Sequence, residues 1–564
     1  MNHRQNILII LTDQQRFDTL AAAGYPHMET PNLDRLVREG CLFRNAFSPN
    51  PICVPARHCL LTGLTGRFHG YFSNEHQPMA DTGLLTLPRV CANAGYHTAA
   101  LGKSHFIPAT EHHGYSELHL MEELPGDVED DAYARYLREK GYGELRNIHG
   151  VRAPIYHEPQ DCLVPEEDHG TRWLGREAAG FIRKNAHRPF LLTVGFIHPH
   201  PPWNIPEEQR GRYRDKILPE PLPPVRCAPF PKNSWTYHDE ESPEAKREIR
   251  EAYYTSVSMV DDSIGKILEA LEATGTLENT FILFTSDHGE MLQDRGMYQK
   301  GVPYESSIRI PFVIRYPVLY QPGSENERFV DLMDIFPTVA DLLNIPLPEG
   351  KAPLRGGSLL PNTRRAGTRD RKMQLAECHG GRYRWVMSRD ERYKFIHYYR
   401  GGADYLYDLD ADPGESHNLI TNTPPGVVEK LKAACLEYED QWGEPGRVCD
   451  GDFVPMVVHE PGEDQDCYPA FDWNNSDKFP RWCFGAFHRF GPLPGDQEAA
   501  RILFETEASL EYRGGRSVLH QLPIAPEALA EMQKAFVKLG GSPESFAALW
   551  KKPCERTSKP GHGH

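Results

Sequence analysis

From Asn6 to Arg315 short apolar runs alternate with amphipathic helical patterns, and this alternation constrains the fold more than any other feature of the chain. NILIIL (Asn6–Leu11), HTAALG (His97–Gly102), PFLLTVGFI (Pro189–Ile197), TFILFTS (Thr280–Ser286) and IPFVIR (Ile310–Arg315) read as buried strands. Between them, Thr30-Pro31 opens a helix as N-cap and first-turn proline, and Gly40 closes it. A longer helix is expected over about Glu248–Glu272, where Tyr253, Val257, Val260, Ile264, Leu268 and Leu271 recur at steps of four, three, four, four and three. Strands that alternate with helices imply an α/β fold with a mostly parallel sheet sandwiched by helices. Ligands in such sheets sit beyond the carboxyl ends of the strands, so Asp13, His200 and Asp287-His288 are expected at one rim.

Beyond Cys378 the pattern changes to the short segments YRWVMS, YKFIHYY and DYLYDL, which read as a smaller antiparallel sheet followed by a helix near Val427–Trp442. The expected division is therefore 1–365 for the α/β domain, 366–445 for a C-terminal α+β subdomain and 446–564 for an extension. The extension carries an aromatic group (Tyr468, Phe471, Trp473, Phe479, Trp482, Phe484), helical patterns at Ala525–Leu539 and Pro543–Leu549, and a final ERTSKPGHGH that reads as disordered. The aromatic group suits surface packing; capping a pocket and homo-oligomer contact are the alternatives.

A formal net charge of −17 excludes a general nucleic-acid binder, which would present a basic face. Ile7–Leu11 is far too short for a secretory apolar region or a membrane span, so a cytoplasmic protein without membrane contact is expected. The 12 cysteines show no short repeated spacing and read as free thiols in a reducing compartment.

Chemistry concentrates just after the strands. Asp13 and Gln14 lie in LTDQQRFD, and Asp287 and His288 in FTSDHGEM. Two acids at adjacent strand ends with nearby oxygen and nitrogen donors suit a hard divalent cation; two unrelated turns are the plainer alternative. Lys103 and His105 (GKSHF), His198 and His200 (GFIHPHPPW) and Lys300 (QKGVPYES) occupy the same kind of position. With Arg57 they describe a pocket for a metal-bound oxyanion. In NPICVPARHCLLTG, Cys53 precedes Pro55 by two residues and Arg57 by four, at the start of a helical pattern. A structural cysteine needs neither neighbour, and Cys59 is not spaced as a zinc partner. The stretch reads better as the site of an unusual nucleophile.

Taken together, CVPAR followed by LLTG, with TPNLDRL, AGYHTAALGKSH, SDHGE, VDLMDIFPTVADLL and LYDLDADPGESHNL in that order, resembles the sulfatases of the alkaline phosphatase superfamily over roughly residues 5–420. The resemblance implies that Cys53 is oxidised to formylglycine by a formylglycine-generating enzyme that reads Pro55 and Arg57. One hydroxyl of the hydrated aldehyde then attacks the ester, and the other allows sulfate to be expelled. It implies Asp13, Gln14, Asp287, His288 and the modified Cys53 as ligands of one divalent metal, Ca2+ first, with Mn2+ or Mg2+ also suited to an imidazole ligand. Arg57 would steady the diol, and Lys103 and Lys300 would hold sulfate and leaving-group oxygens. His105 would be the base and His200 the acid, with His198 in support; Asn74 is a candidate substrate contact. Gln14 departs from the family's commoner aspartate, and His288 stands where some members have asparagine, as in choline-sulfatase-like and phosphonate-hydrolase-like branches. Aryl, choline and carbohydrate sulfates stay open as substrates. The alternatives are a phosphonate monoester or phosphodiester hydrolase and, with Cys53 unmodified, a non-catalytic anion-binding relative.

Overall fold

The computed structural model describes residues 4–456 apart from 75–78, 80–82, 126–127, 143–147, 151–158, 163, 225–241, 347–351, 362–370 and 381–383, together with residue 543. The expectations for the aromatic group, the two tail helices and the terminal stretch lie outside the described residues, as does any oligomer contact made by them.

An eight-stranded sheet runs in the order Ser324–Asp331, Cys41–Phe47, Phe312–Arg315, Thr280–Ser286, Asn6–Asp13, Phe190–Pro199, His97–Gly102, Glu117–Leu120. The five strands read from apolar runs are all in it. Asn6–Asp13 and Thr280–Ser286 are buried along their whole length, which is why they read as continuous apolar runs rather than as alternation. Pairing is parallel except at Phe312–Arg315, which runs antiparallel to both neighbours. The chain leaves Ser286 at the rim and comes back with no more than the short helical turns Asp294–Gly296 and Glu305–Ile308 on the way. It therefore re-enters the sheet from the same end, instead of crossing over behind a long helix. Cys41–Phe47, Glu117–Leu120 and Ser324–Asp331 were not anticipated; SENERFVD is too polar to announce a strand, and its first half is partly exposed.

The predicted helix after Thr30 spans Pro31–Glu39, but the Thr30 hydroxyl does not cap it. That hydroxyl accepts from the Ala21 N–H and donates to Asp34. Asp261, on the long helix Pro243–Ala273, takes the Asn32 and Leu33 N–H groups instead. At Gly40 a Cβ would meet the Ile314 carbonyl oxygen at 2.4 Å, so the helix must end on glycine to pass the sheet.

Gln374–Cys378, Trp385–Arg389, Tyr393–Tyr398 and Ala403–Asp408 form an antiparallel meander, with one strand more than the sequence suggested. Leu431, Cys435 and Tyr438 of the helix Val427–Gln441 pack on its Val386, Phe395 and Leu406. Both sheets belong to one compact unit, Met1–Glu122, Thr171–His200 and Gly211–His459. A second unit, Glu123–Gly170, Pro201–Arg210 and Glu460–His564, contains the helix Ala132–Leu137 and the paired strands Pro159–Asp161 and Trp203–Ile205. Among the described residues no helix is long and apolar enough to cross a membrane, and the eight described cysteines carry free thiols.

Candidate active site

Four parallel neighbours, Thr280–Ser286, Asn6–Asp13, Phe190–Pro199 and His97–Gly102, end at the same rim. Their ends carry Asp287, Asp13, His200 and Lys103. Above them lies the helix Cys53–Thr62, all ten residues of which are buried. Ala56, Leu60 and Leu61 join the same core as Ile9, Leu283 and Phe312, which fixes the helix against the sheet. Pro55 suits the first turn, where its missing N–H costs nothing. Gly63 ends the helix at φ 70 and donates to the Cys59 carbonyl. At the other end Asn74 Oδ1 accepts the Val54 N–H at 3.0 Å. Cys53 therefore sits at a fixed helix N-terminus, where the amide dipoles favour an anion.

One ligand atom from each of Asp13, Cys53, Asp287 and His288 converges within 4.8 Å, and all four residues are buried. Cys53 Sγ lies 3.2 Å from His288 Nε2 and 3.8 Å from Asp13 Oδ1. His288 Nε2 is 3.8 Å from Asp13 Oδ1 and 3.6 Å from Asp287 Oδ1. The other carboxylate oxygens face cations. Arg57 Nε reaches Asp287 Oδ2 at 2.9 Å and Arg57 Nη2 reaches Asp13 Oδ2 at 3.0 Å, while Lys103 Nζ meets Asp13 Oδ2 at 2.6 Å. Each acid thus spends Oδ2 on a fixed cation and turns Oδ1 inward.

The electrostatics agree with that division. Burial alone would raise the Asp13 carboxyl, but Lys103, His200, Arg57 and His288 outweigh it and hold Asp13 well below its ordinary 3.8. Burial, then the Asp13 charge, pushes Asp287 up. Burial and Lys300 press His288 down to about 3, so it is neutral. Its Nδ1 lies 3.0 Å from the Gly289 carbonyl, which can only accept; Nδ1 therefore carries the proton and Nε2 offers a lone pair to the cluster. Burial pushes the Cys53 thiol up to about 12. Two inward carboxylate oxygens and an imidazole lone pair are a donor set that fits a divalent cation.

A second group stands beside the first. Lys300 Nζ lies 2.5 Å from Gln14 Oε1 and 2.9 Å from His200 Nε2. An ammonium only donates, so His200 accepts through Nε2. The Gln14 backbone, at φ 68, donates its N–H to Asp287 Oδ1 at 3.0 Å and joins the two groups. His198 Nδ1 pairs with Thr171 Oγ1 at 3.1 Å. His105, at φ 56, is held by its backbone N–H on Glu122 Oε1. The structure thus joins Asp13, Cys53, Arg57, Lys103, Asp287 and His288 in one cluster and Gln14, His200 and Lys300 in its neighbour. Asn74 serves the N-terminus of the helix Cys53–Thr62.

Three residues of this site escaped the sequence reading. Glu122 accepts the Ser104 and His105 N–H groups, and the Tyr253 hydroxyl donates to the Gln14 carbonyl. Glu290 bonds the Gln14 side-chain amide. Glu290 lies inside the SDHGE block, which was the available signal; Tyr253 looked like one more apolar position of a helix, and nothing marked Glu122.

Comparison with known proteins gives the family. The sulfatase family model matches residues 5–345, and that of the N-sulphoglucosamine sulphohydrolase C-terminal region matches residues 293–441. The chain is 30% identical over 459 residues to an arylsulfatase of Clostridium perfringens, covering 74% of this chain and 91% of the relative. It is 29% identical over 440 residues to a choline-sulfatase of Rhizobium meliloti, covering 76% and 84%. The solved phosphonate monoester hydrolase of Agrobacterium radiobacter is similar in fold, with a TM-score of 0.63 at 27% identity, covering 74% of this chain and 92% of that one. The chain therefore belongs to the sulfatase family, a family of sulfuric ester hydrolases within the alkaline phosphatase superfamily.

Proposed function

We propose that this chain hydrolyses a sulfate ester of a small molecule or carbohydrate to an alcohol and sulfate, using formylglycine made from Cys53 and one divalent cation. The observation that carries the proposal is the convergence of Asp13, Asp287, His288 and Cys53 ligand atoms within 4.8 Å at a helix N-terminus. Asp13, Asp287 and His288 would hold the cation, with Gln14 and the Cys53 side chain completing its shell; Ca2+ is the first candidate and Mn2+ or Mg2+ the others. Bound there, the cation supplies Lewis-acid polarisation of a sulfate oxygen, and hydrated formylglycine supplies an oxygen nucleophile with a second hydroxyl for sulfate release.

The chain's own residues do the rest. Arg57 aims both acids by holding each Oδ2. Lys103 and Lys300 offer cationic charge to the ester oxygens. His200, whose Nε2 lies beside Lys300, is proposed as the acid that gives a proton to the departing alcohol oxygen as the sulfur–oxygen bond breaks, with Lys300 keeping its charge. His105 is proposed as the base for sulfate release, and Asn74 retains a proposed contact to substrate in addition to its bond to Val54.

The proposal includes a formylglycine-generating enzyme as partner, a cytoplasmic location in keeping with free thiols, and the division at 365 and 445 with the extension capping the pocket or joining a second copy. Comparing kcat/KM on an aryl sulfate and an aryl phosphonate monoester tests the reaction class. The sulfate should be preferred, and a large preference for the phosphonate would replace this reading. That second reading draws on the likeness to the phosphonate monoester hydrolase. Promiscuity between the two is expected, because both esters present an anionic centre to the same site. An unmodified Cys53 in protein from its native host would favour the non-catalytic, anion-binding alternative.

A further inference from the structure

Gln14 follows Asp13 directly at the strand end, and its neutral amide has a direction that a carboxylate lacks. One end must be oxygen and the other NH2. Its Oε1 accepts from Lys300 Nζ at 2.5 Å, and its Nε2 donates to Glu290 Oε2. An ammonium only donates and a carboxylate only accepts, so these two neighbours fix the orientation of the amide. Glu290 is fully buried and uses its second oxygen as well. Its Oε1 accepts the Gln299 N–H at 2.6 Å and the Leu292 N–H at 2.9 Å. Both of these residues sit at positive φ, 70 and 43, which side chains rarely adopt and which the surroundings must hold. Gln299 directly precedes Lys300.

We propose that Glu290 is a positioning residue: it orients Gln14 so that Oε1, the one side-chain atom with which Gln14 could ligate a cation, is on the Lys300 side, and it holds the turn that carries Lys300. This rests on the cation proposed above. Glu290 supplies negative charge from behind, through the amide, where it strengthens Oε1 as a donor.

The hydrogen-bond directions give a specific test. In Glu290→Gln, the new Oε1 still satisfies Leu292 and Gln299, so its Nε2 meets Gln14 Nε2, donor against donor. Gln14 must then flip and lose its oxygen from Lys300. Exchanging the pair, Gln14→Glu with Glu290→Gln, restores complementarity: the amide at 290 donates to the carboxylate at 14, which accepts from Lys300.

Calorimetric titration of the full-length protein with Ca2+, with Mn2+ and Mg2+ in parallel, reads this without turnover. Glu290→Gln should weaken cation affinity about 10–100-fold, in line with losses of outer partners at metal sites. The exchanged pair should recover most of that loss and bind more tightly than Gln14→Glu alone, in which two carboxylates oppose each other; a merely structural role does not predict that order. Far-UV circular dichroism checks folding, and an exchanged pair that fails to fold overturns the inference. So does Glu290→Gln with wild-type affinity, or an exchanged pair no better than Glu290→Gln. Binding that disappears in Asp287→Asn while Glu290→Gln keeps it overturns this inference alone. A wild type that binds none of the three cations overturns the cation reading with it.

Discussion

Arg57 Nε lies 2.9 Å from Asp287 Oδ2, and both side chains are almost completely withdrawn from water. The pair aims rather than merely neutralises, since it leaves Asp287 Oδ1 turned toward His288. Arg57→Ala would strand the buried Asp287 carboxylate and leave Asp13 with Lys103 as its remaining cation. A loss of about 3–5 kcal/mol is expected, because removing one partner leaves uncompensated buried charge. Added Ca2+ should restore part of that stability. Urea denaturation with and without the cation measures both effects.

Cation binding should stabilise the wild type by mass action, by about 2.7 kcal/mol at a hundredfold excess over Kd. Asp287→Asn should abolish most of this response, and a chelator should return the wild type to its cation-free Tm. Thermal denaturation against cation concentration is the measurement, and an unchanged response in Asp287→Asn would remove Asp287 from the ligand set.

Asn74 separates two roles cleanly. As the acceptor of the Val54 N–H it caps the helix Cys53–Thr62. Asn74→Ala should then cost about 0.5–2 kcal/mol of stability, as for other lost caps. A rise in KM at unchanged stability would instead show that substrate contact is its main work.

Glu305 governs an acid-sensitive joint between the Lys300 region and the small sheet. It meets Lys394 at 2.8 Å and also bonds Arg389. Burial alone would raise its carboxyl, but Arg389, Lys394 and Arg309 outweigh this and hold it far below its ordinary 4.5. A depressed folded-state value means that the stabilisation is complete above 4.5 and is lost as pH falls below it toward the folded value. Glu305→Gln should therefore lose about 3–5 kcal/mol near neutrality, with the gap to wild type closing on acidification. Denaturant midpoints on either side of that value check the sign.

What could be read from the sequence follows from where the information lies. Asp13 and Asp287 were legible because each ends an apolar strand, and parallel neighbours must deliver such ends to one rim. Cys53 and Arg57 were legible because four residues along a helix return to the same face. The direction of Phe312–Arg315 was not, since a strand buried on both faces shows the same apolar run whichever way it points. Glu122, Asn74 and Glu290 act on backbone or amide groups 17, 20 and 276 positions away, and no local pattern encodes those partners. Thr30 shows the converse: it fits a cap by type, but the longer reach of Asp261 supplies the acceptor.

The most direct measurement joins the mass of the peptide containing Cys53 to the turnover of the same preparation. Sulfate-ester hydrolysis should scale with the fraction of that peptide carrying formylglycine in place of the thiol, and Cys53→Ala should be folded and inactive. Full turnover from protein whose Cys53 peptide is entirely unmodified, or from Cys53→Ala free of contaminating enzyme, would contradict the account.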